Sequence, residues 1–183
     1  ITFQNECAAI RIDDQLCKQG KGITLYSSFK QNLKGDKIYT VFEDSEGDEW
    51  ILTNKGISII GKKQVDSDFP FQYIKEADGI IYLVSQSDKL ASYNFKTRQF
   101  KFIEIPYHVS MINEVKKFDS NTLLLATDNG LIIYKIKEKE FQLIDIRTST
   151  QPSNVVQSVY QDHYKELWIF PQTTGVIRYN PST

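Results

Sequence analysis

Methionine, tryptophan, histidine and cysteine are scarce in these 183 residues: one, two, two and two respectively. Two cysteines, Cys7 and Cys17, make no disulfide framework. We read them as two free thiols, and no further Cys or His stands near them to build a metal site. Two histidines, His108 and His163, leave little for acid–base chemistry. Neither has a nucleophile or a paired acid at a recognisable spacing, so no catalytic residue is assigned. No run of ~18 apolar residues occurs, so no transmembrane helix lies within the sequence. The opening ITFQNECAAI lacks a basic region and an apolar core and is not a signal peptide. An excess of one charge is missing too. The net charge is −1 with a pI near 6.2, which gives a nucleic-acid partner no electrostatic support.

What is present is apolar and aromatic. Hydrophobic residues make up 40%, with ten Tyr and eleven Phe. That bias suits pleated, half-buried surfaces and an all-β protein. The chain is also long enough to bury a sizeable core.

The organising stretch is Ile38–Ile60, IYTVFEDSEGDEWILTNKGISII. Asp44-Ser45-Glu46-Gly47 and Thr53-Asn54-Lys55-Gly56 are turn sequences, since Asp bonds its own backbone and Gly accepts positive φ. They divide the stretch into a three-stranded meander. Degenerate copies follow. Gly47, Gly79, Asn121 and Lys165 stand three residues before Trp50, Tyr82, Leu124 and Trp168, with Lys165 a departure. The turn acid is Asp44, Glu76 or Asp162, and Asp119 serves the third copy one place late. Thr53, Ser85 and Thr127 close the second strands, and Pro171 departs from them. Third strands begin at Ile57, Leu90, Leu131 and Val176. A fourth strand repeats at equal spacing in two copies, Tyr93 to Phe100 and Tyr134 to Phe141. The intervals from Trp50 onward are 32, 42 and 44 residues. The longer two fit four-stranded propeller blades, and the short one predicts a clipped outer strand near Lys62–Asp66.

These repeats predict blades over 38–68, 69–105, 111–146 and 155–183, the last without its outer strand, after a segment 1–29 that is the tail of a preceding blade. The expected fold is all-β, with about four antiparallel meanders of four strands. It forms an incomplete part of a larger ring and has no helix longer than two turns. Turns between second and third strands share one face with the blade crossovers. That face presents Asn54, Lys55, Tyr107, His108, Asp128, Asn129 and Gln172, where a ligand would be sought. Asp44, Glu46, Asp48 and Glu49 could suggest a calcium loop. Calcium wants six to eight oxygens, and the other copies do not keep the cluster, so we read a structural turn and no metal. Trp50 and Trp168 hold equivalent positions and are read as core packing. Cut flanks of terminal blades expose apolar surface, so self-association is expected.

FEDSEGDEWILTNKG resembles the regulator-propeller repeat, whose usual form is close to "eDs.Gn.WigT..Gl", and VYQDHYKELWIFPQTTGVIRYNP is a weaker match. The resemblance implies a seven-bladed propeller, about 300 residues at roughly 42 per blade. It also implies the periplasmic sensor region of a hybrid two-component system of Bacteroidetes. In such proteins two propellers and a small β-sandwich lie outside the membrane, and a histidine kinase and response regulator lie inside. Many members detect glycans. By that resemblance the full-length protein is membrane-anchored, its ligand an oligosaccharide, and this segment needs no cofactor. The alternative from another class is a propeller-fold carbohydrate-active enzyme, a lyase or hydrolase, with its acids partly outside this sequence.

Overall fold

The computed structural model describes residues 8–12, 23–27, 35, 37–60, 67–85, 87–94, 97, 99–173 and 175–181. Cys7, Cys17 and the segment Lys62–Asp66 lie outside them. Every regular element described is a β-strand, which bears out the all-β expectation. The chain divides into two compact units, Ile1–Gln72 and Tyr73–Thr183.

In the first unit, β1 (Ala8–Ile12) pairs antiparallel with β2 (Ile23–Ser27). A separate three-stranded meander holds β3 (Ile38–Glu43), β4 (Glu49–Thr53) and β5 (Gly56–Ile60) in sequence order. The second unit holds three meanders. The first runs β6 (Tyr73–Ala77), β7 (Ile80–Val84), β8 (Leu90–Asn94) and β9 (Gln99–Ile103). The second runs β10 (Ile112–Asp119), β11 (Thr122–Thr127), β12 (Gly130–Lys135) and β13 (Glu140–Ile144). The third runs β14 (Val156–Gln161), β15 (Leu167–Pro171) and β16 (Ile177–Tyr179). Two sheets therefore have four strands and two have three among the described residues, rather than four strands throughout.

Strand β11, TLLLAT, is buried at every position. Alternate side chains on a strand point to opposite faces, so both faces of this sheet must be covered. They are. Leu123 and Leu125 join Ile112 and Val115 in a core shared with Tyr82, Val84 and Leu90 of the preceding sheet. Leu124 and Ala126 join Leu131 and Ile133 in a core shared with Val156, Val159, Leu167 and Ile169 of the next. The outer hairpins carry equivalent aromatic pairs. Tyr93 and Phe100 face each other across β8–β9 with centroids 4.9 Å apart, and Tyr134 stacks on Phe141 at 4.4 Å.

The inner strands have an edge that their own sheets leave unpaired, and side chains from neighbouring sheets satisfy it. The Tyr73 hydroxyl donates to the Asn113 carbonyl at 2.6 Å. Asn113 Nδ2 donates to the Val156 carbonyl at 2.8 Å, and the Val159 amide donates to Glu114 Oε2 at 3.0 Å. Burial, with a smaller push from Glu114, raises the Tyr73 pKa above its ordinary value, which keeps this hydroxyl a donor.

The Asp-to-Trp motif is a hydrogen-bonded clamp. Asp44 Oδ1 accepts the amides of Glu46 (2.9 Å) and Asp48 (3.0 Å), and Oδ2 accepts the Trp50 indole N–H at 2.8 Å. Asp162 repeats it: Oδ1 takes the amides of Tyr164 (2.9 Å) and Glu166 (3.0 Å), and Oδ2 takes the Trp168 indole at 2.9 Å. Lys165 adopts φ +68° where Gly47 has +84°. The departure from glycine thus keeps the left-handed conformation, at a steric cost of about 1 kcal/mol.

The middle copies turn differently. Glu76 is not a turn acid; it lies within β6 opposite Ile81. The turn there is Asp78-Gly79, with φ of +51° and +67°, the two-residue form that matches strand twist. In the third copy the Asn121 amide donates to Asp119 Oδ1 at 2.7 Å. A shorter turn has no room for the clamp, which explains why the acid falls out of register.

Asp44→Ala should destabilise the fold by about 2–3 kcal/mol, because three donors lose a charged acceptor; urea denaturation measures it. Asp162 is held below its ordinary 3.8, chiefly by the Trp168 indole. A depressed carboxyl pKa stabilises above the unfolded value and loses that contribution as pH falls through the folded one. The stability gap between wild type and Asp162→Asn should therefore be constant from neutral pH down to about 5 and close at more acid pH.

Candidate functional site

Meander topology sends the turns between second and third strands, and the crossovers between sheets, to the same end of the strands. The backbone bonds agree. The Asp128 amide donates to the Met111 carbonyl at 3.0 Å, the Gln172 amide to the Val155 carbonyl at 2.9 Å, and the Gly130 amide to the Asn154 carbonyl at 2.6 Å. Each bond ties a turn to a crossover. Gly130 makes this possible: at φ +103°, an added Cβ would lie 2.6 Å from the Ile144 carbonyl oxygen.

Four of the sequence-picked residues come together here. Asn129 Nδ2 donates to the His108 carbonyl at 2.9 Å. Asn129 Oδ1 accepts from Asn154 Nδ2 at 3.0 Å, and Asn154 Oδ1 accepts the Ile146 amide at 2.9 Å. Both oxygens of Asp128 accept the Ser110 amide, at 3.0 and 3.2 Å. Tyr107 is half-buried against the neighbouring core, and its hydroxyl donates to the Phe141 carbonyl at 3.0 Å. The His108 side chain is exposed. Gln172 is exposed at the same end of the next sheet.

Asn54 and Lys55 hold the corresponding turn of the first unit. Asn54 Oδ1 accepts the Lys37 amide at 3.1 Å, and the Asn54 amide donates back to the Lys37 carbonyl at 3.0 Å. Lys55 is exposed. Thr53 and Thr127 perform one shared task. Their hydroxyls donate to the carbonyls of Gly56 (2.9 Å) and Gly130 (2.7 Å) and accept the amides of Lys55 (3.2 Å) and Asn129 (3.1 Å).

Asn154 was not singled out from the sequence. It is a buried polar residue that links two turns, and its only sequence signal is a lone Asn before the apolar start of β14. Also unforeseen is a cleft of about 490 Å³ between the β6–β9 and β10–β13 sheets at the opposite strand ends. Tyr82, Tyr134 and Phe141 wall it, and Lys137 lies 3.7 Å from Asp78 at its rim. Among the described residues no three His, Cys, Asp or Glu are grouped to hold a metal ion. The arrangement on the crossover face is chemically a rigid polar lattice rather than an acid–base pair.

Asn154→Ala would strand the Asn129 carbonyl and the Ile146 amide. A cost of about 1–3 kcal/mol is expected. Combined with Asn129→Ala the effects should be less than additive, a double-mutant cycle reading the coupling.

No family model matches the chain. Histidine kinase P4 of Formosa agariphila is 22% identical over 153 residues, covering 83% of this chain and 9% of its own length. The extracellular domain assigned to the B. thetaiotaomicron hybrid two-component system BT3049 superposes with a TM-score of 0.68 at 21% identity, over 92% of this chain and 23% of that one. The corresponding domain of BT4673 gives 0.66 at 18% identity, over 88% and 24%. Virginiamycin B lyase of Staphylococcus aureus gives 0.65 at 16% identity, over 94% and 62%. The chain thus spans less than a tenth of the kinase and about a quarter of each extracellular domain. It is a run of β-propeller blades, similar in fold to extracellular domains of hybrid two-component systems and in sequence to a histidine kinase.

Proposed function

We propose that this chain is a non-enzymatic, extracytoplasmic sensor segment of a hybrid two-component signalling protein, contributing to detection of an oligosaccharide and to passing on the signal. The observation that carries the reading is the likeness to the BT3049 extracellular domain across 92% of the chain. The local chemistry agrees. Polar side chains on the crossover face bond to one another and to backbone, which suits a pre-organised surface that loses little entropy when it binds. In this reading the full-length protein is membrane-anchored and carries its histidine kinase on the cytoplasmic side, and the blades are periplasmic. His108, Lys55 and Gln172 contact the ligand. Asn54, Tyr107, Asp128 and Asn129 hold the turns that carry them.

Calorimetric titration with a panel of plant and algal oligosaccharides tests this. At least one should bind, and His108→Ala with Gln172→Ala should weaken it about tenfold, ~1.4 kcal/mol, with unchanged circular dichroism. An oligosaccharide cleaved by the chain would move the reading to a lyase or hydrolase. Binding unaffected by the double substitution would remove the crossover face from it.

A further inference from the structure

The same three repeat positions recur in every meander. In β4–β5 they are Trp50, Leu52 and Ile57, exposed by 0%, 0% and 1%. In β7–β8 they are Tyr82, Val84 and Leu90, at 3%, 1% and 0%. In β11–β12 they are Leu124, Ala126 and Leu131, at 1%, 0% and 0%. In the last meander they are Trp168, Phe170 and Val176. Here Trp168 is only half-buried, Phe170 is 37% exposed and Val176 49%.

Within the second unit the use of these positions is explicit. Tyr82, Val84 and Leu90 pack on Ile112, Val115, Leu123 and Leu125 of the following sheet. Leu124, Ala126 and Leu131 pack on Val156, Val159, Leu167 and Ile169 of the one after. The receiving face has one chemistry both times: aliphatic residues three apart on the inner strand and two apart on the second strand.

The exposed face of β14–β16 is built to the same plan. Tyr160, 61% exposed, stands opposite Trp168 in the register and extends the aromatic surface. Arg178 lies over the Trp168 ring, 5.9 Å from its centroid, and bonds Glu166. The Asp162 clamp holds the indole edge, so the ring is fixed before anything covers it. Exposed, pre-set aromatic surface of this kind marks an interface.

We propose that this face is a blade-to-blade interface, and that its occupant is a further antiparallel repeat sheet carrying aliphatic residues at the Ile112–Val115 and Leu123–Leu125 spacings. The proposal does not rest on the sensor reading. A second copy meeting flank to flank would set aromatic donor against aromatic donor, which neither core of the second unit does. A sugar platform would not reproduce the three repeat positions.

The test joins a copy of this chain's own residues 105–146, which carry the receiving face, after Thr183. Trp50 is fully buried, so acrylamide quenching reads Trp168, and Trp168→Phe sets the floor. The added repeat should reduce quenching to that floor. Phe170→Lys with Val176→Lys in the extended chain should restore it while strand content is kept. A protease-resistant added repeat that leaves Trp168 quenchable overturns the proposal. Protection of Trp168 in the unextended chain that grows with concentration, matched by a dimer in sedimentation, overturns it in favour of a second copy. The double lysine variant of the unextended chain should keep its Tm and bind less of a hydrophobic dye. A marked fall in Tm would mean the face is already packed, and would also overturn it.

Discussion

No sheet in this chain can satisfy its second strand alone. Strand β11 is apolar on both faces, so an isolated meander would leave one face in water. Burying a Leu or Ile side chain contributes about 1.5–3 kcal/mol, and half of those contributions come only from the neighbouring sheet. Stability therefore belongs to the stack rather than to the blade, as in other repeat architectures. The rest of the structure follows from this. The crossovers must return the chain across the sheet so that the next inner strand lies beside the last. The inner strands then stand edge to edge, and their unpaired backbone groups must be met by side chains such as Tyr73, Asn113 and Glu114.

Turns obey a weaker constraint and show more variety. Each must reverse the chain, but no packing dictates its length. Two copies use a longer turn with an Asp that accepts two amides and an indole. One uses Asp78-Gly79 with both residues left-handed. The clamp has a second consequence: it fixes the tryptophan ring by its N–H, so the largest side chain of the interface arrives in one orientation. Where the turn is short, Tyr82 or Leu124 fills the interface without that restraint.

This difference explains which parts were legible in the sequence. Strand positions and their order were, because a core residue such as Leu83 or Leu125 has few tolerable replacements and the period-two pattern survives divergence. The outer aromatic pairs, Tyr93–Phe100 and Tyr134–Phe141, were legible for the same reason. The acid of the first turn was misplaced in the second copy because Glu76 stands at the right distance but in a strand. Lys165 hid a conserved backbone shape behind a changed side chain. On the crossover face, topology alone placed Tyr107, His108, Asp128 and Asn129 together. Which of them face solvent was not legible, since a hydrogen bond to Phe141 or Asn154 leaves no mark at the donor's own position.

The polar lattice on that face bears on how a ligand signal could travel. Asn129 touches the crossover before its sheet through the His108 carbonyl and the crossover after it through Asn154. Asn154 in turn holds the Ile146 amide and, by its carbonyl, the Gly130 amide. Two successive crossovers are thereby joined through one turn. Close-packed sheets above and below deform little, so a contact at His108 would be resisted by displacement of the lattice as a unit rather than absorbed by one loop. Coupling of that kind requires two arrangements of the stack with different affinities for the ligand. The hydrogen bonds between blades are the groups that would have to change between them, because the apolar cores tolerate small sliding while a bond of 2.6 to 3.0 Å does not.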